Sequence, residues 1–118
     1  MTDLNVSTVY LWLDGCDPAW LSETKLEEVL TNAVNAAGFE LLYAHCSTHE
    51  GRVVALAVVG ESHVVFHGVP AAGTLCAEVL SCTTREAAAA AIEVVRGQVP
   101  HARANEEWVN YEVDKGFE

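Results

Sequence analysis

Basic residues are scarce in this chain: six lysines and arginines stand against seventeen aspartates and glutamates in 118 residues, a formal net charge of -11. Such a surface repels phosphate backbones, which argues against nucleic acid as a partner, and it attracts small cations. The same acid keeps a small apolar protein in solution, so charge alone names no ligand. Long hydrophobic runs are missing as well. The longest, Val53 to Val59, falls far short of the ~20 residues that cross a bilayer, and no membrane partner is expected. No basic stretch followed by an apolar one opens the sequence, so no export signal is expected. Cys16, Cys46, Cys76 and Cys82 form no C-x-x-C pair, and reduced thiols in the cytoplasm are the corresponding expectation. Internal repeats and low-complexity linkers are absent too, and the length suits a single domain over residues 1–118.

What the chain has in quantity is apolar: 51% of its residues are hydrophobic and 19% charged. That is ample for one packed core, and a chain this small has limited interior, so the surplus points to a subunit interface. Val6 to Leu13, rich in β-branched and aromatic residues, predicts a strand. Asp17 and Pro18 fit the cap and first position of a helix, whose stripe runs through Leu26, Val29, Leu30, Ala33, Val34 and Ala37 and stops at Gly38. Phe39 to Cys46 predicts a second strand and Ser47 to Gly51 a turn. Arg52 to Val59 predicts a central strand, interrupted at Gly60-Glu61-Ser62 and continued from His63 to His67. A loop over 68–73 leads to a strand from Leu75 to Ser81. Thr83 and Glu86 have the spacing of a capping box before a helix over Ala87 to Val95, closed by Gly97. Trp108 to Val113 alternates as a last strand. This order predicts an α+β fold, a two-layer sandwich with a largely antiparallel sheet and two helices on one face.

The polar residues at the centre admit three chemistries. His45, Cys46, His49, His63 and His67 are metal-ligand types, and His63 and His67 share a strand face. Zinc sites, however, show tight ligand pairs with a second pair downstream, which is missing, so no metal is expected. A serine or cysteine nucleophile with a histidine base is the second. No G-x-S-x-G elbow surrounds Ser62 and no acidic partner for a histidine stands out.

The third rests on a pattern. Glu61-Ser62-His63-Val64-Val65-Phe66-His67 resembles the E-S-H-x-x-x-H segment of the prokaryotic S-adenosylmethionine decarboxylases. Gly15-Cys16-Asp17-Pro18 after the first strand, and Cys82 after a strand carrying the acidic Glu78, match at the family's spacing, and the likeness covers roughly residues 6 to 97. The resemblance implies self-cleavage between Glu61 and Ser62. Ser62 Oγ attacks the Glu61 carbonyl, the resulting ester eliminates, and a pyruvoyl cofactor is left on the downstream chain. His67 matches the histidine that assists processing. The pyruvoyl carbonyl engages a substrate amine and takes the electrons released with carbon dioxide, while Cys82 matches the general acid that returns a proton. Cys16, Cys46 and Cys76 are left as structural. The family forms homodimers, and that is carried over as an implication.

The departures concern the substrate. Family positions for a tryptophan and a glutamate that help hold adenosine are occupied here by Val69 and Ala71, and those for a serine and an aromatic by Val54 and Thr48. The resemblance therefore implies a decarboxylase of polyamine synthesis acting on a small cationic amine, L-ornithine or L-arginine, with Glu78 anchoring the distal cation or serving as a solvated or interface charge. The alternatives are S-adenosylmethionine itself and a non-catalytic paralogue that never cleaves.

Overall fold

A computed structural model describes residues 4–113. Six strands form one sheet: β1 (Leu4–Asp14), β2 (Leu41–His49), β3 (Arg52–Val59), β4 (Ser62–Val69), β5 (Thr74–Ser81) and β6 (Arg103–Val113). They are ordered β2-β3-β4-β5-β1-β6, and every pairing is antiparallel. Two helices, α1 (Glu23–Ala37) and α2 (Arg85–Gln98), pack against each other and on one face of the sheet. The α+β sandwich read from the sequence is the observed architecture.

Alternation on the central strands fixes which face is covered. Val53, Ala55, Ala57 and Val59 on β3, Val64 and Phe66 on β4, and Leu75, Ala77 and Val79 on β5 are buried beneath the helices. From above come Leu26, Val29, Leu30, Ala33 and Val34 of α1 with Ala88, Ala91, Ile92 and Val95 of α2. The small alanines let α2 lie close to its neighbours. Phe66 is fully buried at the centre. Phe66→Ala removes its contacts and leaves a cavity under α1 and α2, so it should cost about 3–5 kcal/mol, read as a lower urea midpoint at unchanged slope.

Several boundaries differ from the sequence expectation, each for a local reason. Asp17 accepts from the Ala19 N–H at 3.0 Å, but the element it caps is a separate 3-10 turn, Pro18–Leu21. Ser22 caps α1, its Oγ accepting from the Lys25 N–H at 3.2 Å. Phe39 belongs to the end of α1 and not to a strand: its N–H reaches the Val34 carbonyl at 3.2 Å, past the left-handed Gly38. β2 runs on through Ser47 and His49 to a two-residue turn in which Glu50 and Gly51 both have positive φ, the pattern of a type I′ hairpin. Thr84, not Thr83, caps α2, accepting from the Ala87 N–H at 3.1 Å, so the capping box does not form. α2 passes through Gly97 to Gln98, whose amide oxygen accepts from Asn32 of α1 at 3.1 Å. β6 begins at Arg103, five residues before the alternating segment, because it pairs with β1 along its whole length. Trp108 anchors it, lying under the Arg85 guanidinium at 3.9 Å and donating from Nε1 to Glu106 at 2.7 Å.

Candidate active site

The β3–β4 hairpin closes on two residues, Gly60 and Glu61, with Val59 opposite Ser62. Gly60 has φ +62°, while Glu61 does not enter the positive region; that is the type II′ pattern, which favours glycine at its first position. Glu61 is thus exposed at the tip of a tight turn, and Ser62 is the first residue of β4.

Ser62 turns into the face covered by the helices and is only 3% exposed, so its hydroxyl needs an internal partner. The backbone N–H of Cys82 supplies one, 2.9 Å from Ser62 Oγ. The Cys82 thiol donates to the carbonyl oxygen of Glu61 at 3.5 Å. One residue therefore holds both the serine oxygen and the carbonyl that precedes it. Cys82 is itself held by Ser81, which is buried at the end of β5. Ser81 Oγ donates to the Thr84 carbonyl at 2.8 Å and accepts from the Thr83 N–H at 3.3 Å, bending the chain from β5 into α2. Sequence reasoning did not single out Ser81; a serine followed by two threonines before a helix is the pattern that marks such a turn. A cleft of about 510 Å³ opens beside the Glu61–Ser62 bond, lined by Phe39, Glu40, Gly60, Glu61, Thr83 and Thr84 among others.

His67 is not brought to this cluster within one chain. It is exposed on the other face of the sheet, alternating with Ser62, Val64 and Phe66. At roughly 3.3 Å per residue it stands about 16 Å along β4 from Ser62. Its cross-strand neighbours are Val54 on β3 and Cys76 on β5. Thr48, Val69 and Ala71 gather at the same end of the sheet, as does Gly15-Cys16-Asp17-Pro18, tied to the β4–β5 connection by the Cys16 N–H on the Gly73 carbonyl at 2.9 Å. Gly73 has φ +63°, and a Cβ there would meet the Cys16 carbonyl at 3.1 Å, so the close approach calls for glycine.

Glu78 lies on the same uncovered face as His67. Its Oε2 is 2.6 Å from Nε2 of His63, and both side chains are about one-third exposed. His63 was weighed in the sequence only as a metal-ligand type; the contact joins residues fifteen apart across β4 and β5, which only the strand register reveals. The remaining thiols stay protonated. Burial pushes Cys16, Cys46 and Cys76 up, helped by the negative charge of Asp14, of Glu23 and Glu27, and of Glu78 respectively.

The architecture is shared with a known decarboxylase. The crystal structure of the adenosylmethionine decarboxylase from Aquifex aeolicus VF5 superposes with a TM-score of 0.82 at 18% identity, covering 92% of this chain and 91% of that one. At that identity the likeness establishes the fold. The sequence itself matches the S-adenosylmethionine decarboxylase family over residues 7–108, further towards the C-terminus than the motifs alone reach, and the chain belongs to that family. No curated protein matches it. Among the described residues, no helix is long and apolar enough to cross a membrane.

Proposed function

We propose that this protein is a self-processing, pyruvoyl-dependent decarboxylase that works as a homodimer in the cytoplasm on a basic amino acid, L-ornithine or L-arginine. The observation that carries the reading is the convergence of Ser62 Oγ, the Glu61 carbonyl and Cys82 at one turn. Ser62 Oγ attacks the Glu61 carbonyl carbon, and the Cys82 thiol steadies the negative charge that develops on its oxygen. Collapse moves the acyl group from nitrogen to oxygen. Loss of the Ser62 Cα proton expels Glu61 as a carboxylate, and the dehydroalanine that remains takes up water and releases ammonia. The pyruvoyl terminus so made would be held by the His63 peptide bond beside Cys82. It supplies an electron sink for decarboxylation of an amine-bearing substrate. Cys82 then gives a proton to the substrate carbon.

The division of the motifs between the two ends of the sheet supports the homodimer. The uncovered face carries Tyr10, Trp12, Leu56, Val58, Val65 and Leu80, a half-buried apolar surface on an otherwise acidic chain. Packing two such faces about a twofold axis covers them and sets the His67 end of one protomer against the Ser62 end of its partner. His67 then serves the partner's bond.

The substrate preference rests on Val69 and Ala71. Neither offers a flat face for a purine or an acceptor for ribose hydroxyls, and each unmet buried polar group costs roughly 1–3 kcal/mol. A linear basic amino acid requires neither, only an anion for its distal charge, and Glu78 is the proposed anchor. Carbon dioxide release by processed enzyme should favour L-ornithine or L-arginine over S-adenosylmethionine and L-lysine at equal concentration, the margin over S-adenosylmethionine being about a hundredfold. Faster release from S-adenosylmethionine would return the protein to its family's namesake reaction.

A further inference from the structure

We propose that His63 holds Glu78 as a receptor for the distal cation of the substrate; the inference deepens the basic-amino-acid reading and rests on it. The 2.6 Å contact assigns the roles. An ionised carboxylate only accepts hydrogen bonds, so Nε2 of His63 carries the proton and donates to Oε2. Oε1 is left for a second donor. His63 is the only ion-pair partner of Glu78 among the described residues.

The row of side chains across the sheet argues the same way. His45, Leu56, Val65, Glu78, Tyr10 and Glu107 stand opposite one another in turn along one line across the sheet, with His45 two strands beyond Val65. The row holds two carboxylates and an aromatic ring, and no lysine or arginine. A carboxylate in a half-buried apolar setting, with a single imidazole donor on one oxygen and no lysine or arginine in its row, has an acceptor oxygen open to a further cationic donor. Tyr10, opposite Glu78 on β1 and stacked on Trp12 at 5.8 Å, adds an aromatic ring of the kind that favours guanidinium and ammonium groups. His63 directly follows Ser62 on β4, its side chain turned to the uncovered face where Glu78 lies and Ser62 Oγ to the covered one, so the receptor stands across the strand from the reacting terminus. His63 is thus a positioning residue, and Glu78 with Tyr10 forms the cation-selective part of the site.

Two readouts test this, one of them without turnover. In the Ser62→Ala protein, which keeps the face and cannot process, calorimetric titration should give L-arginine an affinity at least tenfold above that of L-norleucine, and the ring nitrogen signals of His63 should shift with L-arginine alone. Adding Glu78→Gln should abolish the difference. In processed enzyme, Glu78→Gln and His63→Leu should raise KM for L-arginine about tenfold or more with a much smaller fall in kcat, and His63→Gln, which keeps a donor at similar reach, should restore most of the affinity. If His63→Leu does not process, the Glu78→Gln comparison decides. Equal binding of L-arginine and L-norleucine, or an unchanged KM in Glu78→Gln, overturns the receptor while leaving self-cleavage intact. Selective L-arginine binding in a protein whose wild type never cleaves upholds the receptor and removes the decarboxylase reading.

Discussion

Freshly purified wild-type protein is expected to run under denaturing conditions as two pieces, an acidic 1–61 fragment and a 62–118 fragment blocked at its N-terminus, and Ser62→Ala as a single chain. The effect is all or none, because Ser62 is the residue whose own amide bond breaks and whose hydroxyl becomes the ester oxygen. Intact-mass analysis reads it directly, and a wild-type chain still whole after long incubation would hand the protein to the non-catalytic alternative. The same assay tests the two-protomer site. In the proposed dimer His67→Ala alone should stall, because the partner's bond would lose its imidazole. Co-expressed with Ser62→Ala at equal levels, about half of the His67→Ala chains should cleave, those whose partner brings an intact His67. Absence of rescue in mixed dimers would show that His67 acts, if at all, within its own chain.

Cys82→Ala separates making the active terminus from using it. The backbone N–H that holds Ser62 Oγ survives the substitution, while the thiol contact to the Glu61 carbonyl is lost. Cleavage should therefore go to completion, slowed about fivefold for one neutral hydrogen bond. Decarboxylation should fall by about a hundredfold or more, the usual cost of losing a general acid, with gradual inactivation as protons arrive at the wrong atom. Full turnover by a cleaved Cys82→Ala protein would assign the acid elsewhere.

How much of this was readable in advance follows from the range of the interactions. α1 was legible because its apolar stripe repeats with the helical period, and β3 because seven apolar residues between turn signals can only be a buried strand here. The break at Gly60 was legible for the same local reason, but its reversal into a hairpin, with Ser62 already inside β4, was not. Boundaries failed where two local signals competed. Thr83 and Thr84 are equally good caps, and Ser81 decided between them by drawing Thr83 back into its own turn. The first half of β6, Ala104 to Glu107, has no apolar alternation, and its pairing is imposed by the length of β1. Ser62 and Cys82 were found from the motif, yet their contact spans twenty residues and is set by the β4–β5 register. Register also separates His67 from Ser62, because an odd offset along a strand sends two side chains to opposite faces. The His63–Glu78 pair has no trace in periodicity at all.

The strand order has a consequence for the molecule once cut as proposed. Residues 1–61 contribute β1, β2 and β3, and residues 62–118 contribute β4, β5 and β6. In the sheet these alternate by origin: two strands from the first piece, two from the second, then β1 from the first and β6 from the second. α1 and α2, one from each piece, are packed together above them. The products of the proposed cleavage would therefore be interwoven and could not part by sliding or hinging; separating them would mean dismantling the central ladders. Folding, however, changes order. The uncut chain folds as one molecule, whereas the cut pieces, once unfolded, must find each other, so their reassembly becomes concentration-dependent. The proposed cut at the hairpin tip would thus leave a fold whose persistence rests on how slowly it comes apart.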